Sequence, residues 1–320
     1  MLDALLLRDL YCLEPTQVHM RIRSPFRAAR LAVLVAVASL ATPHVLAAGQ
    51  AGLHERTLYV SAVDSKGEPV EGLGQDAFVV EEDGRRREIL RVSRAIDPID
   101  LALLVDNSAA SRPAMIDLRM ALSNFVAKMG PGNQIAVIGL ADRPTIITDY
   151  TNDPKRLADA VKITSMPSTG MTLLDALMET SKGLKKREAA RAMIVAVITD
   201  GTEFTNYYSK DVARAIADAS AQLHLVGIGR FLHSEEHATR ERSFLLTEGP
   251  RATGGSDTTI LASTGLDQAM QRLARELTSQ YKVVYSRPES LIPPEKIEIS
   301  SARADLTMRG SPARDSRDRK

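Results

Sequence analysis

The sequence predicts an α/β fold built on a doubly wound, mostly parallel sheet flanked by helices, and three short apolar runs are the first indication of it. Residues 101–105, 192–198 and 223–228 are almost wholly apolar, which is typical of strands buried on both faces of a parallel sheet. Segments with a helical spacing of apolar side chains lie between these runs. This alternation of strands and helices indicates βαβ units.

The segments on either side of this region are rich in strand patterns. Residues 49–97 contain alternating apolar and polar residues and an Asp83-Gly84 pair, which is a strong signal for a two-residue hairpin. Residues 281–309 contain further strand-like runs. Because three strands alone make a thin unit, we expect the two segments to pair. They would form a small β-sandwich-like domain that is interrupted by an α/β domain at residues 98–280.

The amino-terminal region has the pattern of a secretory signal. Within residues 1–48, four arginines precede or adjoin a ten-residue apolar stretch at 31–40, and small residues follow at cleavage spacing. Such a stretch is too short to span a membrane comfortably. We therefore expect an exported protein, periplasmic or extracellular, with no stable membrane span after cleavage; an uncleaved anchor is the alternative. Since a signal normally begins at the initiator methionine, Met20 is the predicted start, and residues 1–19 are predicted not to be translated.

The composition argues against several classes of partner. The chain has 41 basic and 40 acidic residues, a net charge of +1, which does not support a nucleic-acid or anionic-membrane partner. It has no tryptophan and only 4% aromatic residues, so a platform for stacking bases or sugars is not expected. Its single cysteine, Cys12, permits neither a disulfide within one chain nor a cysteine-based metal site. The charged residues 310–320 are predicted to be disordered.

Three loops at the same end of the predicted sheet carry oxygen-bearing side chains. Strand-to-helix loops of a parallel sheet converge on one edge, so we expect these side chains to meet. They include no histidine and no cysteine, and carboxylate and hydroxyl oxygens suit Mg²⁺ far better than zinc or copper. The residues are Asp106 and Ser108 in the first loop, Ser168, Thr169 and Thr172 in the second, and Asp200, Thr202 and Glu203 in the third.

Each loop also has a simpler interpretation. Asp106 and Ser108 could cap the helix that follows them. Thr172 and Asp175 have the spacing of a capping box, and Asp200 could belong only to a turn. For one loop alone the simpler interpretation is the stronger one, whereas three such loops in this order favour a shared site.

At these positions the chain resembles the von Willebrand factor A-type (VWA) domain and its metal-ion-dependent adhesion site. The family has Asp-x-Ser-x-Ser after the first strand, a threonine before a later helix, and an aspartate in Thr-Asp-Gly after a central strand. The matching residues are Asp106, Ser108, Thr172 and Asp200. The resemblance implies a VWA/Rossmann-like fold, a Mg²⁺ ion held by these four residues, and a protein partner that completes the ion's shell with Asp or Glu. More narrowly, the whole chain is similar to bacterial VWFA-related proteins, which carry this domain behind a signal peptide.

One position departs from the family motif. Ala110 stands where the family has its second serine, and a methyl group offers no oxygen to a metal. Ser111 follows one residue late and would need a local backbone shift to substitute, so Ser111 and Glu203 are only auxiliary candidates. We expect weakened metal affinity as a result.

These observations predict an exported, non-enzymatic protein-binding module with a degenerate adhesion site. One alternative is a metal-independent VWA scaffold that binds its partner by surface shape, which Ala110 favours. The other is a metal-dependent hydrolase using Asp106 and Asp200, although no histidine or lysine base lies in the three loops. His224 lies within a predicted buried strand and is expected to be a satisfied core residue.

Overall fold

The computed structural model describes residues 53–231, 236–288, 292 and 294–314, and within them the chain forms fifteen strands and six α-helices. The strands are β1 (Leu53–Val63), β2 (Phe78–Glu82), β3 (Arg85–Arg87), β4 (Ile89–Arg94), β5 (Asp100–Val105), β6 (Gln134–Gly139), β7 (Thr145–Thr151), β8 (Gly170–Met171), β9 (Ala192–Thr199), β10 (Thr202–Glu203), β11 (Ala221–Ile228), β12 (Asp257–Ile260), β13 (Tyr281–Pro288), β14 (Ile297–Ser301) and β15 (Thr307–Pro312). The helices are α1 (Met115–Met129), α2 (Pro154–Ala160), α3 (Leu173–Arg187), α4 (Ser209–Asp218), α5 (His237–Thr253) and α6 (Leu266–Thr278).

A six-stranded sheet lies at the centre of the α/β part. Its spatial order is β12-β11-β9-β5-β6-β7, and neighbouring strands run parallel except for β6 and β7, which are antiparallel. Helices lie between parallel neighbours of the sheet along the chain, as a parallel sheet requires, whereas β7 follows β6 directly. The predicted fold class, a doubly wound and mostly parallel sheet, is confirmed.

Helices cover both faces of this sheet, which explains why its central strands are continuous apolar runs. Leu101, Leu103 and Val105 of β5 pack in a core with α1, α2 and α6. Ala102 and Leu104, which alternate with them, pack in a second core with α3, α4 and α5. Side chains of a strand alternate between faces, so a strand covered on both sides needs apolar residues at every position.

The β-rich part is built from the segments before and after the α/β part. One sheet has the order β15-β1-β13-β4, so the first strand lies between two of the last three, and a smaller sheet has the order β14-β2-β3. Apolar side chains that include Phe78, Tyr281 and Tyr285 fill the core of this part. Asp83 and Gly84, with φ of 49° and 73°, form the predicted hairpin between β2 and β3. Because Gly49–Lys320 forms a single unit, the domain boundaries at residues 98 and 280 stay predictions.

The chain departs from expectation near its carboxyl end. The prediction of disorder from residue 310 is wrong as far as Pro312, because β15 pairs with β1 through Gly310 opposite Val60 and Pro312 opposite Leu58. Backbone hydrogen bonds hold this strand, and they do not require apolar side chains. Residues 315–320 and the predicted signal region at 1–48 lie outside the described residues. Among the described helices, none is long and apolar enough to cross a membrane.

Candidate functional site

Backbone pairing brings the three predicted loops together at the carboxyl edge of the central sheet. β8 in the second loop pairs in parallel with β10 in the third. The second loop also joins the first, because Ala109 N donates to Ser168 O at 3.0 Å and Met166 N donates to Asn107 O at 2.7 Å. The predicted convergence of the loops therefore occurs through main-chain hydrogen bonds, which fix their relative positions.

Asp106 ties the ends of two central strands together. Its side chain is fully buried, and Oδ1 accepts a hydrogen bond from Ser108 N at 2.9 Å. Its Oδ2 accepts from Thr199 N at 3.3 Å and from the Thr199 hydroxyl. A buried carboxylate needs such donors, and Thr199 immediately precedes Asp200. Asp106 thus holds the first and third loops in register.

Ser108 carries a buried hydroxyl that has no hydrogen-bond partner among the described residues. It stands at the N-cap position of a 3₁₀ turn over Ala109–Ala114, yet its side chain makes no capping bond. Helix capping, the simpler interpretation of this loop, therefore does not account for Ser108. An unsatisfied buried hydroxyl is unfavourable by roughly 1–3 kcal/mol, and such a group calls for a ligand or a water.

Thr172 is buried at the start of α3, but it does not cap the helix. Its Oγ1 donates to Leu140 O at 2.9 Å, which leaves the lone pairs of the hydroxyl oxygen free. The capping role falls to Glu203, whose Oε1 accepts from Leu174 N at 3.1 Å. The capping-box interpretation of Thr172 is wrong, because a carboxylate from a neighbouring loop takes that place.

Asp200 is the exposed member of the set, and it lies against the backbone of another strand end. A Cβ atom added at Gly229 would lie 2.7 Å from Asp200 Oδ2, and Gly229 has a φ of +109°. Only glycine tolerates both that conformation and that approach. Gly229 is therefore a site residue that sequence reasoning missed, since the tripeptide Gly227-Ile228-Gly229 does not by itself indicate this role.

Ala110 lies beside Ser108 at the same edge. A Cβ atom added at Gly201 would lie 2.8 Å from Ala110 Cβ and 3.6 Å from Ser108 Oγ. The alanine methyl thus faces the region where the other site residues gather. Ser111 does not compensate for it: Ser111 is buried, and its hydroxyl donates to Ser108 O at 2.8 Å.

Comparison with known families agrees with this arrangement. Residues 101–203, which include all four predicted site residues, match the family model of the von Willebrand factor type A domain. Residues 101–203 therefore have the sequence features of a VWA domain. A search of curated proteins found no match to the chain.

Several solved structures are similar to part of the chain. BatB, a conserved hypothetical protein from Bacteroides thetaiotaomicron, is 16% identical, with a TM-score of 0.45 over 57% of this chain and 100% of that one. An aerotolerance-related membrane protein from Bacteroides fragilis is 15% identical, with a TM-score of 0.43 over 55% of this chain and 98% of that one. Proximal thread matrix protein 1 from the mussel byssus is 14% identical, with a TM-score of 0.45 over 62% of this chain and 49% of that one.

Arg242, which lies outside the matched residues 101–203, is a second residue near this edge that sequence reasoning missed. It projects from α5, is only 3% exposed, and its Nη1 donates to Gly201 O. Burial lowers the pKa of this guanidinium, while the carboxylates of Glu203, Asp106 and Asp200 act in the opposite direction. No motif surrounds Arg242 in the sequence, so only the packing of α5 against the third loop reveals it.

Glu203 is a buried carboxyl group in the third loop of this edge. Burial is the main cause that raises its pKa to about 8, and the hydrogen bond from Leu174 N and the charge of Arg242 only partly offset it. Its Oε2 has no hydrogen-bond partner among the described atoms. Glu203 is therefore mostly protonated at neutral pH, which suits a helix-capping and structural role better than the auxiliary metal-ligand role considered from the sequence.

The donor set of the VWA domain fits Mg²⁺, with one protein ligand fewer than the family motif provides. In the described part of the chain, no three His, Cys, Asp or Glu side chains cluster as a metal site, so hydroxyls would have to contribute. The unpartnered hydroxyl of Ser108 and the free lone pairs of Thr172 are hard oxygens of the kind Mg²⁺ prefers. Asp106 and Asp200 supply the negative charge. Mg²⁺ keeps several waters in proteins, and one of these can occupy the position that Ala110 leaves.

Proposed function

We propose that the chain is an exported, non-enzymatic protein-binding module, and that the edge formed by Asp106, Ser108, Thr172 and Asp200 binds an acidic side chain of its partner. The VWA scaffold and the convergence of the three loops support a binding surface at this edge. The buried, unpartnered hydroxyl of Ser108 carries the proposal, because nothing in the fold itself accounts for it.

In this proposal, the chain's own residues prepare a cation-binding surface. Asp106 fixes the first and third loops through its bonds to Ser108 and Thr199. Thr172 is held by its bond to Leu140 O, while Asp200 remains accessible at the surface. A bound Mg²⁺ would supply an open coordination position for a carboxylate oxygen of the partner.

Calorimetry with MgCl₂ tests the metal part of the proposal. We expect wild type to bind Mg²⁺ and Asp200→Asn to bind it at least about tenfold more weakly, because a charge–charge attraction is lost. Asp218→Asn is the matched control: Asp218 is also exposed, but it pairs with Lys185 at the far end of α4. Equal binding by wild type and Asp200→Asn, or no binding by wild type, would contradict the proposed metal site.

Metal-independent binding through the same edge is the second candidate, and Ala110 favours it. The methyl of Ala110 removes one oxygen from the set and makes part of the edge apolar. This candidate differs from the first in one measurable respect, since EDTA would then leave partner binding unchanged.

Export is proposed from the amino-terminal pattern of the sequence. The basic residues, the ten-residue apolar stretch and the small residues within 1–48 are the features of a cleavable signal. They support a location outside the cytoplasm, where a partner in the envelope or beyond it could reach the edge.

A further inference from the structure

A buried positive charge lies behind the proposed cation site. Arg242 donates a hydrogen bond to Gly201 O, and Gly201 adjoins both Asp200 and the Ser108–Ala110 segment. Its Nε is buried and unpartnered in the described structure, as are Ser108 Oγ and Glu203 Oε2. Arg242 makes no side-chain ion pair at salt-bridge distance in the described part of the chain, and its positive charge interacts with the carboxylates of Glu203, Asp106 and Asp200 over a longer distance.

The charges around the site differ from those that two carboxylates alone would give. Asp106 and Asp200 contribute two negative charges. The pKa of Glu203, about 8, means that its carboxyl adds little negative charge at neutral pH. Arg242 contributes one positive charge, so the local sum is close to −1 rather than −2. Since the region is largely buried, water screens this charge less than it would at the surface.

We propose that the buried, positively charged guanidinium of Arg242 weakens the binding of a divalent cation at this edge. The inference rests on the proposed Mg²⁺ site. It adds that the loss of a serine at Ala110 is only one of two features lowering the affinity, and that the second comes from α5, outside the family motif.

The test compares Mg²⁺ affinities by calorimetry in Arg242→Gln, Arg242→Lys and wild type. If the guanidinium repels the ion, Arg242→Gln binds Mg²⁺ about tenfold more tightly than wild type, whereas Arg242→Lys, which keeps the charge, stays close to wild type. Arg240→Gln is the matched control. It removes one positive charge from the same helix, but Arg240 is half-exposed and lies beside Glu241 instead.

The same measurements in an Ala110→Ser background separate this inference from the proposed function. If wild type binds Mg²⁺ and Arg242→Gln binds it equally or more weakly, the inference fails and the proposed function stands. If wild type does not bind but Ala110→Ser does, the metal part of the proposed function fails. The inference is then decided by whether Arg242→Gln tightens binding in that background. Failure of every variant to bind overturns both.

Thermal unfolding without metal shows whether the Arg242 variants are folded, so that a change in Mg²⁺ affinity is not mistaken for a loss of structure. Arg242→Met keeps the apolar stem of the side chain near the Phe231 ring, which lies 5.7 Å from the guanidinium carbon, and it replaces Arg242→Gln if that variant does not fold. Both variants unfolding would make Arg242 a residue of the fold and would overturn the proposal.

Discussion

At the scale of single residues, the site contains residues that a local sequence pattern predicts and residues that only the packing of the fold reveals. Asp106, Ser108, Thr172 and Asp200 follow strands in a fixed order, and the loops that carry them are joined by backbone hydrogen bonds. Their occupancy by a metal stays a prediction. Arg242 could not be predicted, because its role depends on where α5 lies against the third loop.

Glu203 provides a residue-scale prediction about pH. Its folded pKa of about 8 exceeds the ordinary glutamate value of 4.5, so the folded state binds the proton more tightly than the unfolded state. The contribution of Glu203 to stability is fully present below about pH 4.5 and is lost as the pH rises towards 8. Glu203→Gln does not titrate. Its free energy of unfolding relative to wild type should therefore rise over that interval, by at most about 1.4 kcal/mol per pH unit.

Urea unfolding at a series of pH values measures this difference. Glu179→Gln is a suitable control, since Glu179 lies on α3 and is exposed, and it should show no comparable trend. A difference between Glu203→Gln and wild type that stays constant with pH would show that Glu203 is ionised in the folded protein.

At the scale of elements, α5 is the clearest disagreement with the sequence. Glycine and proline disfavour a helix interior, yet α5 continues through Gly249 and Pro250 to Thr253. Thr253 Oγ1 donates to Gly249 O at 2.8 Å and accepts from Leu223 N at 3.1 Å. Tertiary packing against β11 thus supports a turn that local propensity disfavours.

The end of α5 provides an element-scale prediction. Gly254 has a φ of +70°, and a Cβ atom added there would lie 2.0 Å from Gly310 O in β15. Gly254→Ala should therefore lower the free energy of unfolding by about 1–2 kcal/mol because of the left-handed conformation. The displacement of β15 should lower it by a further ~1–3 kcal/mol.

Gly132→Ala is the matched control for this substitution. Gly132 has a φ of +80° but nothing within 4 Å of an added Cβ atom, so only the conformational part of the destabilisation applies. Thermal or urea unfolding compares the two variants. Equal destabilisation would mean that α5 and β15 are not in the close contact described here.

At the scale of the whole molecule, the pairing of the two terminal segments could be predicted because neither segment has enough strands alone. The network of buried polar side chains beside the paired terminal segments could not be predicted. Arg191, only 4% exposed, donates to Leu277 O and Gln280 Oε1, both at 2.8 Å. Gln280 in turn donates to Gln222 and to Ser61. These residues come from distant parts of the sequence and meet only in the folded structure. No short sequence pattern therefore predicts the network.

The same limit applies to the site as a whole. Three loops separated by more than sixty and by nearly thirty residues meet because the sheet order places β5 beside β9 and because β8 pairs with β10. The order of the motifs made that meeting predictable, whereas the roles we propose for Ala110 and Arg242 in metal affinity depend on packing and on a single substituted position.

Paramagnetic broadening by Mn²⁺ in amide NMR spectra tests the central claim, a cation-binding edge shared by three loops, most directly. Mn²⁺ takes the same hard oxygen ligands as Mg²⁺ and broadens the signals of nearby residues. We predict that signals from residues 106–110, 170–173 and 199–203 weaken first, while those of residues 130–133 at the opposite edge persist. Uniform weakening, weakening centred elsewhere, or no effect at all would contradict the account.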